Sequence, residues 1–146
     1  MRIENKTLVL VADGAKMLLF RNTGDAEYPQ LEVETALEQP HDKTGDIATD
    51  SPGRAASSTG GGNSSMEQPD YHQQAEDRFA ADTALMLKTR ALANDYESLI
   101  IVAPPRTLGE LRKHYHGEVS KRLSGEIAKD LVNHSVDKIE GIIAAA

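Results

Sequence analysis

Two short runs without a charge, Thr7 to Ala12 (TLVLVA) and Ser98 to Ala103 (SLIIVA), constrain this chain more than any other feature. Both are brief, Leu-rich and β-branched, and each is closed by a turn or breaker signal, so both read as buried strands. A strand that is apolar at every position needs cover on both faces. The chain must therefore build a sheet with helices on either side.

The segments between these runs set the connections. Asp13-Gly14 follows the first run directly and is a strong hairpin dipeptide. Lys16 to Arg21 is then the antiparallel partner, and Asn22-Thr23-Gly24 is a second turn. Gln30 to Leu37 alternates apolar and polar residues, with Leu31, Val33 and Thr35 on one face, which predicts a half-buried strand at the sheet edge. Tyr71 to about Asp95 lacks Gly and Pro and predicts a helix, with Asp70 as its N-cap. Its expected apolar stripe is Ala81, Leu85, Lys88, Leu92 and Tyr96, broadened by Phe79, Met86 and Ala93. Pro104-Pro105 stops the second apolar run. Thr107 and Glu110 form a capping-box pattern that opens a helix running to about Tyr115. Leu123 to Leu131 fits two patterns. Leu123, Ile127 and Leu131 have helical spacing, yet they also alternate with polar neighbours as in a strand, and propensity favours the helix. Ser135 caps a last helix through Ala145, with Val136, Ile139, Ile142 and Ile143 apolar.

With Leu123 to Leu131 as a strand, the order is β-β-β-α-β-α-β-α. Right-handed crossovers and the rule against crossing connections leave few sheets for that order. The favoured one is an α/β, ribonuclease H-like mixed sheet of order 3-2-1-4-5, strand 2 antiparallel to the rest and helices on both faces. A chain of 146 residues fits a single domain, 1–146.

Composition narrows the chemistry. The absence of Cys excludes disulfides, thiol catalysis and thiolate zinc sites, and suits a reducing cytoplasm. No run resembles a signal peptide or approaches the roughly 20 apolar residues of a membrane helix, so a cytoplasmic protein without a membrane partner is expected. Net charge is −7, which argues against a general nucleic-acid binder. The charge is uneven, however. From Gly24 to Asp50 acids dominate, with Lys43 as the one base. From Arg106 to Arg122 the bases Arg106, Arg112, Lys113, Lys121 and Arg122 outnumber Glu110 and Glu118. That stretch could meet a phosphate backbone locally.

Several enzyme classes are disfavoured. A two-metal nuclease on such a sheet needs carboxylates on its central strands. Asp13 is the one candidate, and it belongs to a hairpin turn, while the second apolar run holds no acid. His114-x-His116 does not place two ligands on one helical face. No metal or other cofactor is expected. There is no G-x-S-x-G, and Gly60-Gly61-Gly62 lacks the Lys-Ser/Thr of a phosphate loop.

What remains is a long Gly/Ser-rich loop, 38–70. Its stretch DSPGRAASSTGGGNSSMEQPD, Asp50 to Asp70, holds four Gly and six Ser/Thr. Loops of this length inside a compact domain are uncommon and usually functional or disordered. Gly60, Gly61 and Gly62 would let backbone approach a ligand closely, because they carry no Cβ.

The chain resembles the bacterial host-attachment protein family, described as proteins required for attachment to host cells. The resemblance runs nearly full length. It rests on LVLVADGAKMLLFR from Leu8, DSPGRAASSTGGGNSSME from Asp50, LIIVAPPRTLGELRKHY from Leu99 and EIAKDL from Glu126. It implies a strand at Glu126 to Leu131. That family is in turn similar to the catalytic domain of archaeal and eukaryotic class I release factors and to ribosome-rescue relatives, which carry a Gly-Gly-Gln loop after the third strand. Gly61-Gly62-Asn63 stands in that place here, with Asn one methylene shorter than Gln. The resemblance implies a role in translation, with ribosome and peptidyl-tRNA as partners. It makes Gly61, Gly62, Asn63 and Gln68 candidate catalytic residues. Arg54, Gly60, Arg106, Arg112 and Lys113 become candidate RNA contacts. The other expectation is a non-enzymatic RNA- or protein-binding module with an indirect role in attachment.

Overall fold

The computed structural model describes residues 1–39 and 71–146. The expectations for Arg54, Gly60, Gly61, Gly62, Asn63, Gln68 and Asp70 lie outside the described residues.

The strands are β1 (Leu8–Ala12), β2 (Lys16–Asn22), β3 (Leu31–Glu38), β4 (Leu99–Ala103) and β5 (Leu123–Ala128). The helices are α1 (71–92), α2 (Pro105–Arg112), α3 (Gly117–Arg122) and α4 (Val136–Ala145). The sheet has the order β3-β2-β1-β4-β5, as expected from the sequence. β2 runs antiparallel to both its neighbours, and β1, β4 and β5 are parallel.

The two apolar runs pair with each other at the centre, Leu8 opposite Leu99 and Val11 opposite Val102, and every residue of both strands is buried. Because successive side chains point to opposite faces, one sequence supplies two cores. Leu8, Leu10, Leu99 and Ile101 pack with Leu87 of α1, Leu108 and Leu111 of α2 and Val119 of α3. Val9, Val11, Ile100 and Val102 pack with Ile139 and Ile143 of α4 on the other face. The Asp13-Gly14 hairpin forms as expected. The Asp13 carboxylate accepts from the backbone N–H groups of Ala15 and Lys16 at 2.8 and 2.7 Å, which commits it to the turn.

Three expectations are corrected, and a fourth point adds an element. First, Leu31, Val33 and Thr35 do not share a face. Leu19 pairs with Thr35 but the next residue, Phe20, pairs with Val33, so Glu34 is an inserted bulge residue. Leu31 and Val33 follow Phe20 toward α4. Thr35 and Leu37 follow Leu19 and Met17 toward α1. Only Leu31 of β3 is buried, so the strand is not half-buried.

Second, the buried stripe of α1 is Ala80, Thr83, Ala84, Leu87 and Ala91, and Leu85 and Leu92 are exposed. The expected stripe ran through the bulkiest residues, whereas the contact face is mostly alanine, which brings the helix close to the sheet. Third, α2 starts at Pro105 and has no capping box. Pro104 occupies the N-cap without a side-chain bond, and Pro105, with φ preset for a helix, opens the first turn. The helix ends at Arg112, short of Tyr115. Fourth, Gly117–Arg122 is a short helix that the sequence pattern did not signal. Its N-cap is His116, whose Nδ1 accepts from the Glu118 N–H at 3.0 Å.

Leu123–Ala128 is a strand, so alternation prevails over helical spacing, but the strand stops three residues short of the expected Leu131. Ser135 caps α4 as expected, accepting from Lys138 N–H.

Candidate functional site

In open α/β sheets, ligands bind beyond the carboxyl ends of the parallel strands, where neighbouring strands send their connections to opposite sides. Here that place is the shared carboxyl edge of β1 and β4. β1 turns back into β2 on one side, and β4 leads through α2 toward β5 on the other. A small notch opens there. It is lined by Gly14 after β1, Gln73, Glu76, Asp77 and Ala80 of α1, and Arg106, Thr107 and Glu110 of α2.

The notch is charged and specifically built. Glu76 lies against Gly14 so closely that a Cβ at position 14 would sit 2.8 Å from its carboxyl carbon. Gly14 has no positive φ, and the end of the flexible Glu76 side chain could shift to admit a Cβ there. Gln73 donates to Asp77 at 2.7 Å, while its own oxygen is buried with no partner among the described residues. Among the described residues, neither Glu76 nor Arg106 has an ion-pair partner.

Gln39, the last described residue of the β3 side, lies beside this notch, and α1 begins at 71. The Gln39 backbone N–H donates to Ala15 O at 2.6 Å, and its side-chain Nε2 donates to Ala75 O, also at 2.6 Å. One residue thus ties the end of β3 to the β1–β2 turn and to the first turns of α1. The end of β3 is therefore fixed beside the notch.

The basic stretch has a different character. Arg112 donates through Nε and Nη2 to Glu126 at 3.0 and 2.7 Å, and Tyr115 donates to the other oxygen of the same carboxylate at 2.7 Å. Burial works to raise the Glu126 carboxyl, but these donors outweigh it and hold the group below the usual carboxylate range. Burial, reinforced by Glu126, pushes the Tyr115 hydroxyl strongly up. Lys113 pairs with Glu110 and Lys121 with Glu118. Arg122 is held by Glu118, by the Tyr96 carbonyl at 2.8 Å, and by the face of the Tyr96 ring. Of the five bases, Arg106 is the one without an ion pair among the described residues, and it lines the notch.

Of the described candidate residues, then, Arg106 is at the notch, Lys113 is beside it through Glu110, and Arg112 is turned toward β5. The notch residues Gln73, Glu76, Asp77 and Glu110 were not anticipated. They occupy polar positions of two helices, and no local pattern in the sequence distinguishes them from solvated side chains. Among the described residues, no three His, Asp or Glu converge as metal ligands would. No helix among them is long and apolar enough to cross a membrane.

A mixed α/β sheet of this order does not by itself fix a protein class, and the class comes from the family comparison. A model of the family "Bacterial archaeo-eukaryotic release factor family 12" matches residues 6–143. The chain belongs to this family. It is also similar to an uncharacterized protein, RP470, of Rickettsia prowazekii (strain Madrid E). The two are 42% identical over 57 residues, a stretch that spans 39% of this chain and 38% of that protein.

Proposed function

We propose that this chain is a release-factor-like protein of translation or ribosome rescue that acts on the ester bond of peptidyl-tRNA at the ribosome, in the cytoplasm. The observation that carries this reading is the family match across 6–143, which spans the Gly-rich segment between β3 and α1. In the reaction, the oxygen of a water bonds to the ester carbonyl carbon. The bond from that carbon to the ribose oxygen breaks, and a proton passes to the departing ribose hydroxyl. Such a step needs a positioned water and donors aimed at the developing oxyanion. The Asn63 amide would hold the water, with Gln68 as a second amide. The backbone N–H groups of Gly61 and Gly62 would face the oxyanion, and Gly60 would allow close approach. Chain 1–146 would act as one domain. Arg54 and Arg106 are the proposed phosphate contacts. The pairing of Arg112 with Glu126 and of Lys113 with Glu110 makes those two weaker choices.

The test is release of labelled peptide from peptidyl-tRNA on stalled ribosomes and on free large subunits. Wild type should release peptide, Asn63→Ala should lose about 100-fold in rate, and Asn63→Gln should match or exceed wild type. Peptide retained by wild type, in a preparation shown to be folded, overturns the enzymatic reading.

A second reading is a non-enzymatic RNA- or protein-binding module. It is favoured by the shorter Asn63 and by the internal pairing of the basic stretch. It predicts ribosome or partner association without peptide release. An indirect role in host-cell attachment would belong to that reading, and no feature of the notch speaks for it.

A further inference from the structure

The apolar stripe that the sequence pattern assigned to the core of α1 turns away from it. Ala80, Thr83, Ala84, Leu87 and Ala91 take the contact with the sheet, while Tyr71 (44% exposed), Leu85 (55%) and Leu92 (58%) project outward. These are three of the seven exposed large apolar side chains among the described residues. They share one line of the helix with Gln74, Arg78, Ala81 and Lys88. Along that line the positions advance by alternate steps of three and four, which is the spacing of a seam where two helices pair.

The charges beside the seam are mixed and unanswered. Helical geometry puts Asp77 and Lys88 on one flank and Arg78 and Asp82 on the other. Among the described residues none of the four has an ion pair, since the pairs made by α1 belong to Arg90. Two acids and two bases cancel, so the face offers no single sign to RNA or to a strongly charged protein segment.

What selects the partner is the order of these residues, which complements itself when reversed. Consider α1 of a second copy laid antiparallel, with the two-fold axis at Ala81. Tyr71 of each copy then faces Leu92 of the other, Gln74 faces Lys88, and Arg78 faces Leu85. The members of each pair lie within one residue of equal distance from Ala81. Like flanks meet across such an axis, so Asp77 comes within a turn of Lys88 and Asp82 within a turn of Arg78. The Arg78 stem covers Leu85 while its head reaches Asp82. The small Ala81 at the axis lets the helices approach. A closed two-fold contact needs this self-complementarity, and it meets each contact twice.

We infer that the outer face of α1 is a homodimer surface, occupied by α1 of a second copy packed antiparallel about Ala81. This surface is independent of peptide release. A contact through one helix is small, so the dimer is weak, with a dissociation constant of about micromolar or above.

The test is sedimentation equilibrium of the full chain, up to about 100 µM. Wild type should show a reversible monomer–dimer equilibrium. Leu85→Arg sets a cation against Arg78 of the other copy and should weaken association roughly tenfold or more. Its unfolding transition as a monomer should be unchanged, because Leu85 is exposed. Arg78→Asp should weaken association by facing Asp82, and Arg78→Asp/Asp82→Arg should regain it. The chain has no Cys, so Ala81→Cys adds a lone thiol at the axis and should be joined to its copy by a short bis-maleimide. Thr89→Cys lies about two turns from the axis and should be joined far less. A monomeric wild type, unchanged association in Leu85→Arg, a double variant no better than Arg78→Asp, or equal cross-linking at 81 and 89 overturns the proposal.

Discussion

The acidic stretch around β3 and the basic stretch from Arg106 to Arg122 look like mirror images in the sequence, and the structure treats them differently. Four of the five bases are answered by carboxylates of the same region or of β5. Around β3, Glu34 alone of the acids from Asn22 to Gln39 has an ion pair among the described residues, while Arg21 and Lys16 of β2 stand opposite Glu32 and Glu38. A run of like charge in a sequence therefore says little about the field it creates until its partners are placed. In the basic stretch Arg112 ties α2 to β5, Arg122 ties α3 to the Tyr96 carbonyl, Lys113 and Lys121 pair within their own helical regions, and Arg106 has no ion pair among the described residues. The acidic stretch is an exposed edge held in shape by one buried amide, Asn22, which donates to Ile3 O, Glu4 O and Asp25 O and accepts from Gly24 and Gln30 N–H.

That contrast can be broken most forcefully at Asn22. Asn22→Ala leaves several buried backbone groups of the β2–β3 connection unsatisfied, and should cost about 3 kcal/mol in denaturant unfolding. A loss below about 1 kcal/mol would mean that the acidic approach is not anchored there. The corresponding break in the basic stretch is Tyr115→Phe. It removes a part-buried hydrogen bond to the charged Glu126 and should cost about 1–2 kcal/mol.

A smaller effect concerns pH. The hydrogen bond from Arg21, with that from Arg90, holds the Glu34 carboxyl below its ordinary 4.5. For Asp95, burial opposes the shift, but Arg21 and Arg90 still bring it below 3.8. Groups with depressed folded values contribute stability that is complete above the unfolded pKa and lost as pH falls through the folded one. Stability should therefore decline below about pH 4.5, and Arg21→Ala should flatten that decline. An acid limb unchanged in Arg21→Ala would remove this network from the account.

Much of the fold was legible because burial is unforgiving at the centre. TLVLVA and SLIIVA can only be strands covered on both sides, and the connection rules then leave little choice of order. Legibility fell where packing depends on residue size or on one extra residue. Ala80, Ala84 and Ala91 carry a weak hydrophobic signal but form the α1 contact. A single inserted residue, Glu34, reverses the alternation of β3. The capping box at Thr107 was outcompeted by prolines already set for a helix. At the site, Arg106 was visible as one base among five. Its distinction arises only because Glu126, Glu110 and Glu118 engage the others, and Glu126 is brought in by a parallel strand. Glu76 carried no signal because its proximity to Gly14 exists only in the folded sheet.

The central claim, a release-factor-like protein that meets the ribosome through the region around Arg106, is tested most directly by sedimentation with large ribosomal subunits across a salt series. Wild type should co-sediment. Arg106→Ala should bind more weakly, with a salt dependence reduced by about one phosphate contact, while Arg112→Ala should behave as wild type. Failure of the wild type to co-sediment at any salt, or equal losses in the two variants, would contradict the account.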